Sequence, residues 1–265
     1  VTTALAINET NTSATITFSE DVFKSDGTSA LTVDELHLSI ANGSASLTNY
    51  TVATTDNRIF TFTLTLSGTS DGNEVLFLSG TVYDGATNNK HLAVFVSFND
   101  LTGPTIPSVV FPSSSPTNDG TVTVTKSDDS VSWQYSIDAG VTWKTGVGTS
   151  FVLTDETYVP NVIQVRSTDA AGNNSETRAN TSELIIDTVV PDSPTVFFPS
   201  SPSVDGTVAV TKSSDSVSWQ YSVNAGDWVT GVETNFVLAD GTYATGVIRV
   251  RSTDAAGNIS GTTYN

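Results

Sequence analysis

"VSWQYSIDAG", residues 131–140, carries the pattern from which the architecture of this chain can be worked out, and it returns as "VSWQYSVNAG" at residues 217–226. Apolar residues in the first copy alternate with polar ones, at Val131, Trp133, Tyr135 and Ile137. A period of two predicts a half-buried β-strand with a tryptophan in the core. The Asp-Ala-Gly or Asn-Ala-Gly that follows favours a tight turn. The pattern therefore predicts a β-strand that leads into a hairpin.

A long internal repeat surrounds this strand. It begins at Asp119 and again at Asp205, 86 residues later, and continues to "VRSTDAAGN", which starts at Val165 and at Val250. A period near 86 residues is too long for one propeller blade and suits a seven-stranded sandwich. Short alternating segments separated by turn residues extend over the chain. We therefore predict an all-β fold of tandem immunoglobulin-like Greek-key β-sandwich domains in a linear array.

Three domains are predicted, at residues 1–103, 104–190 and 191–265. The first has diverged, but "D-x-A-x-N" recurs in all three, at Asp84, Asp169 and Asp254. Asn265 matches Asn180, which precedes "TSELIIDT" in the second domain, so the third is predicted to lack its last strand. Either that domain is truncated or another chain supplies a strand. The whole sequence is predicted to be an internal piece of a longer protein.

Composition and charge exclude several classes of partner. The net charge of -18 argues against nucleic acid and against an anionic membrane surface. No apolar run of about 18 residues is present, so direct insertion into a membrane is not predicted. Cysteine is absent, which leaves no disulfides and favours a bacterial protein over a secreted eukaryotic one. We expect an extracellular location at a cell surface.

One motif raises the question of enzyme activity. "SIDAGVTW", residues 136–143, fits the Asp-box pattern S-x-D-x-G-x-T-W of sialidase β-propellers. The second copy places Asn224 where the first has Asp138 and lacks one residue. His37 and His91 have no neighbours at metal-ligand spacing, and no G-x-S-x-G, P-loop or Rossmann glycine pattern occurs. We therefore predict no catalytic residue, no nucleotide cofactor and no enzymatic activity.

Four segments resemble a known family: "ITFSEDV", "WQYSIDAGVTWKTG", "VRSTDAAGN" and the linker "IIDTVVPDSP". They are similar to the bacterial immunoglobulin-like (Big-type) tandem repeats of giant extracellular adhesins, the large repetitive surface proteins of biofilms. The resemblance implies a linear stalk whose partners are neighbouring repeats of the same protein, with calcium at the domain junctions. Surface glycans or other cells would be contacted through a tip outside this chain. The linkers "DLTGP" and "DTVVP" depart slightly from the family pattern.

Acidic residues are also predicted to gather at each junction. In an immunoglobulin-type sandwich two loops lie at the end where the chain enters, beside the incoming linker. Carboxylates grouped there without Lys or Arg need a hard cation with six to eight oxygen ligands, which favours Ca²⁺ over Mg²⁺. The predicted ligands are Asp100, Asp128, Asp129, Asp169 and Asn173 at the first junction, and Asp187, Asp215, Asp254 and Asn258 at the second. The sequence does not choose between Asp128 and Asp129. The alternative is that all are ordinary turn residues.

These inferences predict a non-catalytic stalk or spacer segment of a cell-surface adhesin, stiffened by calcium and supporting attachment. The alternative is a carbohydrate-binding or accessory module of a secreted polysaccharide-active enzyme. That alternative needs exposed aromatic rings, and Trp143 and Trp228 are its candidate sugar platforms, because Trp133 and Trp219 are expected to point inwards. A viral or phage fibre decoration is a third option.

Overall fold

The fold is built entirely of β-strands and turns. A computed structural model describes residues 3–265, apart from the side chain of Thr3, and contains 23 strands there. The predicted all-β class is confirmed over these residues. Over the same residues no helix has the length and apolar character needed to cross a membrane. The chain divides into two compact units, which are described in turn.

The first unit comprises Val1–Thr105, of which the first two residues lie outside the described range, with Asp129–Val131 and Thr168–Glu176. Its strands pair antiparallel in two sheets. One sheet has the order β1 (Thr3–Ile7), β2 (Ser13–Phe18), β5 (Ile59–Ser67) and β4 (Ser46–Thr54). The other has the order β3 (Leu36–Ala41), β6 (Val75–Tyr83) and β7 (Asn89–Ser97).

Alternation along the strands builds the core of this unit. Phe60, Phe62 and Leu64 of β5 are buried, and the Thr residues between them are exposed. Phe18 meets Phe60 edge to face, with ring centroids 5.8 Å apart. Leucine, isoleucine and valine side chains from both sheets complete one continuous hydrophobic cluster. The period of two in the sequence is thus the signature of a sheet with one face in the core.

The second unit contains two cores, and the first of them belongs to the copy of the repeat that begins at Asp119. One sheet orders β11 (Lys144–Thr145), β10 (Ser132–Ser136), β14 (Gln164–Thr168) and β15 (Arg178–Ala179). A second sheet orders β12 (Ser150–Val152), β9 (Thr121–Thr125) and β8 (Ser108–Val110). A third pairs β13 (Glu156–Tyr158) with β16 (Leu184–Ile186).

The later copy repeats most of this arrangement. One sheet orders β17 (Thr195–Phe197), β18 (Thr207–Thr211) and β21 (Asn235–Val237). The other orders β20 (Val229–Thr230), β19 (Ser216–Val223), β22 (Ile248–Asp254) and β23 (Thr263–Tyr264). The boundaries 103/104 and 190/191 stay a prediction, although the described residues do form three separate hydrophobic clusters.

The same aromatic trio fills both repeat cores. Tyr135 stacks on Phe151 with centroids 4.1 Å apart, and Trp133 lies 6.0 Å from Phe151. The matching centroid distances in the later copy are 4.0 Å for Tyr221 with Phe236 and 6.0 Å for Trp219 with Phe236. Rings at these separations attract beyond the burial of their area. The predicted core tryptophans, Trp133 and Trp219, are therefore buried, and each is only 4% exposed.

One sequence-based expectation about the strand itself is wrong. Val131 was expected on the apolar face, but its side chain is 61% exposed, and Val217 is 57% exposed. In the later copy the register of β19 against β22 shifts between Ser216 and Ser218. Such a β-bulge turns one residue off the alternating pattern. Ser216 is therefore buried while Val217 faces solvent.

A glycine packed against the core tryptophan gives a test of this fold. A Cβ at Gly231 would lie 2.1 Å from ring atoms of Trp219, so Gly231→Ala must displace the indole. We expect a loss of about 1–3 kcal/mol of stability, as overpacked cores show. Urea denaturation followed by tryptophan fluorescence measures this loss. Gly241→Ala is the control, because its nearest contact would be an ordinary 3.7 Å to Tyr243. Equal midpoints for the two variants would contradict the described packing.

Candidate functional site

The segment that follows β16 is bonded to the loops that precede it in the chain. We call residues 187–191 the second linker. The Asp187 N–H donates to the Thr117 carbonyl at 3.0 Å, and the Thr188 N–H and hydroxyl donate to Asp155 Oδ1 at 2.9 and 2.8 Å. The Val189 N–H donates to Asp187 Oδ1 at 3.0 Å. Four donors therefore fix the course of the linker as it leaves the sheet.

The opposite side of the second linker is held by the loop that follows β22. The Asn258 side-chain amide donates to the Asp187 carbonyl at 2.7 Å and to Asp254 Oδ2 at 2.9 Å. The Asn258 N–H donates to Asp254 Oδ1 at 2.8 Å. Asn258 is only 6% exposed and Asp254 7%. The carboxylate therefore orients the amide, and the amide binds the main chain of the linker; we call this pair the Asn258 bracket.

The first unit contains the same arrangement around residues 100–104, the first linker. The Leu101 N–H and the Thr102 hydroxyl donate to the Ser70 carbonyl at 2.9 and 2.8 Å. From the other side the Asn173 amide donates to the Asp100 carbonyl at 3.1 Å and to Asp169 Oδ2 at 3.0 Å. A Cβ on Gly103 would lie 2.3 Å from the Asn174 carbonyl oxygen. The linker and the loop are thus in close contact, and we call this pair the Asn173 bracket.

The D-x-A-x-N motif explains why the brackets recur. In each copy the Asp accepts both the backbone N–H and the side-chain amide of the Asn four residues later, including the Asn88 amide on Asp84 at 2.9 Å. Burial raises the pKa of Asp254, but the hydrogen bonds from Asn258 and nearby N–H groups outweigh it and hold that pKa below its ordinary value. Asp254 is therefore ionised at neutral pH, and an ionised acceptor gives the stronger bond.

The predicted calcium ligands are brought together only in part. Asn173 and Asn258, each bonded to its own Asp, do reach the linkers, but their amides donate to the main-chain carbonyls of Asp100 and Asp187 rather than contacting the carboxylates. Those two carboxylates instead accept N–H groups of Thr102 and Val189 within their own linkers. The remaining predicted ligands are exposed: Asp128, Asp129 and Asp215.

Within residues 3–265 no group of three His, Cys, Asp or Glu side chains is placed to hold a metal ion. Asp129 Oδ2 accepts the Thr105 N–H at 3.2 Å, which uses an oxygen that the prediction assigned to the metal. Six to eight converging oxygens are typical of calcium sites. Calcium at these linkers stays a prediction.

The sequence reading missed the residues that hold the linkers from the preceding side. Glu74 is fully buried, and it accepts N–H groups of Ser44 and Ala45 at 2.8 and 2.7 Å and the Ser70 hydroxyl at 2.8 Å. Burial raises the pKa of Glu74, but these bonds outweigh it and lower that pKa overall. Glu74 therefore positions the loop whose Ser70 carbonyl binds the first linker. A lone Glu at the start of the apolar run "EVLFL" was the available signal.

The Asp-box motif forms a hairpin, and the carboxylate of its Asp is hydrogen-bonded within that hairpin. Asp138 Oδ1 accepts the Ser136 hydroxyl at 2.6 Å and the Thr142 N–H at 2.9 Å, while Oδ2 accepts the Thr142 hydroxyl at 2.6 Å. These bonds, the Ser136 hydroxyl first among them, lower the pKa of Asp138 to about 2. The side chain thus serves the turn, as the predicted architectural role requires.

Arginine side chains cover the tryptophans next to these hairpins. Arg166 lies over the ring of Trp143 with 4.0 Å to the centroid, and Arg251 lies over Trp228 at the same distance. Gln134 accepts the Arg166 Nε–H at 2.9 Å, and Gln220 accepts the Arg251 Nε–H at 3.0 Å. A guanidinium held on an indole face is a cation–π contact that a sugar ring would have to displace. The two rings are therefore not open sugar platforms on that face.

Comparison with solved structures finds several that are similar to this chain. The FN1–FN3 domains of chicken CNTN1 share 13% identity, with 99% of this chain and 96% of that one covered and a TM-score of 0.32. The BSP domain of a biofilm associated protein shares 11%, covering 99% and 65%, with a TM-score of 0.26. SGBP-B of the Bacteroides ovatus mixed-linkage glucan utilization locus, in complex with a mixed-linkage heptasaccharide, shares 10%, covering 88% and 64%, with a TM-score of 0.19. No family model and no curated protein matches the chain.

Removing one bracket tests its hold on the linker. Asn258→Ala deletes the donor to the Asp187 carbonyl and leaves Asp254 without its amide partner. A lost hydrogen bond with a partly buried partner costs about 1–2 kcal/mol, so we expect amide exchange of residues 187–189 to become roughly tenfold faster. Hydrogen exchange followed by NMR measures this. Ile259→Ala, a change at a 44% exposed neighbour, serves as the control. Unchanged exchange in Asn258→Ala would contradict the bracket.

The hairpin predicts a pH dependence confined to one copy. Asp138 has its pKa lowered from the ordinary 3.8 to about 2, so its stabilising contribution is complete above pH 4 and is lost as the pH falls towards 2. The later copy carries Asn224 at this position and has no carboxylate to titrate there. Carbonyl-detected NMR should give Asp138 a midpoint near 2, and Asp138→Asn should abolish the matching shift of the Thr142 amide. A midpoint near 4 would show that the hydrogen bonds are not formed.

Proposed function

We propose that this chain is a non-catalytic spacer segment of an extracellular surface protein, in which consecutive sandwiches are joined by hydrogen-bonded linkers. The observation that carries the proposal is that each linker is bonded on both sides. A preceding loop binds one side, through Ser70 or through Asp155 and Thr117, and an Asn amide binds the other. Domains joined by freely moving linkers would not need hydrogen bonds on both sides of each linker.

The number of bonds supports a mechanical role. A single hydrogen bond contributes about 1 kcal/mol net, which exceeds thermal energy only slightly. The second linker takes part in several hydrogen bonds at once. Beside the Asn258 bracket, the Asn118 N–H donates one more, to the Ala256 carbonyl at 3.2 Å. Bonds that share one short segment must break together before the segment can swing. A spacer built in this way keeps whatever it carries at a set distance from its point of attachment.

The extracellular assignment rests on composition and on the resemblance to surface repeats. The chain has no cysteine and a net charge of -18, which favours a soluble and mutually repelling surface polymer. The stalk role in cell or surface attachment, with neighbouring repeats as partners, is the function typical of the adhesin repeats that the sequence resembles. The carbohydrate-binding alternative has less support, because guanidinium groups occupy a face of Trp143 and Trp228.

Distance measurements within the second unit test the spacer proposal. The chain lacks cysteine, so Thr123→Cys with Ala209→Cys introduces the only two labelling sites, both on exposed strand positions. We expect pulsed EPR on the spin-labelled chain to give a narrow distance distribution. Adding Asn258→Ala should broaden it, since the second linker loses one of its anchors. A distribution in the parent that is already as broad as in the variant would overturn the proposal.

The same labelled chain tests the calcium prediction and the glycan alternative. If calcium binds at the linker, the distribution should narrow with calcium and broaden with EDTA, and Asp187→Asn should weaken the response. An identical distribution in both buffers would contradict calcium. Binding of the chain to polysaccharides on a glycan array, lost in Trp143→Ala with Trp228→Ala, would favour the carbohydrate-binding module instead.

A further inference from the structure

Two arginines of the later repeat copy lie over the same indole ring. The guanidinium carbon of Arg251 is 4.0 Å from the centroid of Trp228, and that of Arg249 is 5.3 Å from it. Gln220 Oε1 accepts two N–H groups of Arg251, and Ser222 Oγ accepts one from Arg249 at 2.9 Å. Within residues 3–265 neither guanidinium forms an ion pair. Two like charges therefore lie close together with no carboxylate paired to them, in a chain whose net charge is -18.

Arg249 also lines a cavity of about 460 Å³ beside the turn that follows β19. Tyr264 is opposite Arg249 in the β22–β23 ladder, and its ring is 56% exposed. Over the described residues neither the Asn224 side-chain amide nor the Tyr264 hydroxyl has a hydrogen-bond partner. The cavity thus brings together a cation, free polar groups and an aromatic ring, which is the combination that small-molecule sites use. Its lining residues are Asn224, Ala225, Gly246, Val247, Arg249 and Tyr264.

The earlier repeat copy differs from the later one at the residues that give this cavity its chemistry. The strands around it are nearly the same, since "VSWQYS" and "VRSTDAAGN" occur in both copies. The matched pairs, earlier copy first, are Asp138 and Asn224, Gln164 and Arg249, and Ala179 and Tyr264. The later copy therefore loses a carboxylate, gains a guanidinium and gains an aromatic ring in one place. All three differences favour a ligand that carries a negative charge and an apolar face.

The course of the chain in the earlier copy shows that later residues leave this region open. The Asn180 amide donates to the Val159 and Ser182 carbonyls at 3.0 and 2.9 Å, and the Ile185 N–H donates to Ser115 Oγ at 2.9 Å. Residues 184–186 then pair with β13. Among the described residues, 181–188 form no hydrogen bond with 138, 139, 161, 162 or 164, which match the cavity. The segment that follows Asn180 is bonded elsewhere.

We propose that this cavity binds an acidic sugar, a pyranose ring that carries one carboxylate. The guanidinium of Arg249 binds the carboxylate, because its planar fork of N–H donors matches the two oxygens. The Tyr264 ring packs against the apolar C–H face of the pyranose, and the Asn224 amide bonds to sugar hydroxyls. The site would give the spacer a lateral contact, and it does not depend on the linker bonds.

The charge of the whole chain restricts the ligand further. A field from a net charge of -18 repels a densely charged polyanion, and it repels a second copy of the chain in the same way. A glycan whose acidic sugar is terminal, or is separated from the next by neutral sugars, carries little charge into that field. An acidic peptide would satisfy Arg249 but would not offer a rigid apolar face to Tyr264. The cavity therefore favours a glycan with isolated acidic units.

A pair of monosaccharides tests the site directly. Methyl β-glucuronide is titrated into the full ¹⁵N-labelled chain, and methyl β-glucoside, which has the same ring without the carboxylate, is the control ligand. We expect chemical-shift changes at residues 224–225, 246–249 and 264, with residues 138–139 and 161–164 unchanged. The glucoside should bind at least tenfold more weakly. Binding of the glucuronide should weaken as the salt concentration rises, because the main contact is between charges.

Variants that carry the residues of the earlier copy test each contact. Arg249→Gln and Tyr264→Ala should each lower the affinity for the glucuronide at least tenfold, whereas Tyr264→Phe, which keeps the ring, should retain most of it. The matched control is Arg178→Gln, which removes an exposed arginine of the earlier copy and should bind as the parent does. Unchanged midpoints of urea denaturation show that the variants are folded. Because Tyr264 is exposed, its replacement keeps the test valid even if Arg249→Gln is unstable.

Several results would overturn the proposal. Equal affinity for the glucuronide and the glucoside would remove the role of the carboxylate, and so would full binding by folded Arg249→Gln. Acetate that gives the same shifts with the same affinity would mean an adventitious ion only. Tighter binding of a Gly-Glu-Gly peptide than of the glucuronide would indicate a protein partner instead. Shifts confined to other surfaces, or none at millimolar sugar, would also contradict the site, and the distance distribution that tests the spacer proposal is measured without sugar.

Discussion

The hydrogen bond from an asparagine amide to a main-chain carbonyl holds each linker of this protein. In the Asn258 bracket Asn258 and Asp254 are both nearly buried, and the carboxylate of Asp254 fixes which way the amide faces. A buried amide left without acceptors costs about 1–3 kcal/mol, so the loop and the linker stabilise each other. The Asn173 bracket in the first unit follows the same design with a somewhat longer bond, 3.1 Å against 2.7 Å.

The strands of the sandwich set the positions of those loops. β22 pairs with β19 over seven residue pairs and ends at Asp254, so the register of one ladder sets the position of the bracket. Behind the ladder, Trp219 packs at a tilt against the other two rings of its trio, and Gly231 leaves room for the indole. A change in core packing therefore reaches the linker through two strands and one turn. The buried Glu74 performs the corresponding task in the first unit by organising the loop around Ser70.

Much of this could be predicted from the sequence. The period of two predicted β10 and β19 with their core tryptophans, the repeat predicted the matching cores, and the recurring D-x-A-x-N placed Asp169 and Asp254 beside the linkers. The chemistry at that place was less accessible. An Asn offers both an acceptor and two donors, and composition does not say which one is used. The neighbouring carboxylates suggested that the Asn side-chain oxygen binds a cation. In the structure the side-chain N–H groups of Asn173 and Asn258 face the linker carbonyls instead.

Other differences have equally local causes. A bulge of one residue turned Val217 outwards, and alternation alone does not reveal where a ladder shifts. Glu74 accepts the N–H groups of Ser44 and Ala45, which lie 30 and 29 residues away, so the lone Glu in "EVLFL" does not by itself identify these partners. Residue types carry little information about contacts to backbone groups. The bracket acceptors are backbone carbonyls and two partners of Glu74 are backbone N–H groups, so the sequence did not predict these bonds.

In each bracket the Asn amide donates to a main-chain carbonyl of the linker rather than to a linker side chain. "DLTGP" and "DTVVP" differ at three of five positions, yet both present the carbonyl of their leading Asp to the same amide. Substitutions that keep the main-chain shape of a linker therefore leave the acceptor in place, and a domain with the D-x-A-x-N loop can follow any predecessor that ends in a main chain of this shape. Such a connector tolerates shuffling: modules can be duplicated, reordered or replaced without redesigning their joints.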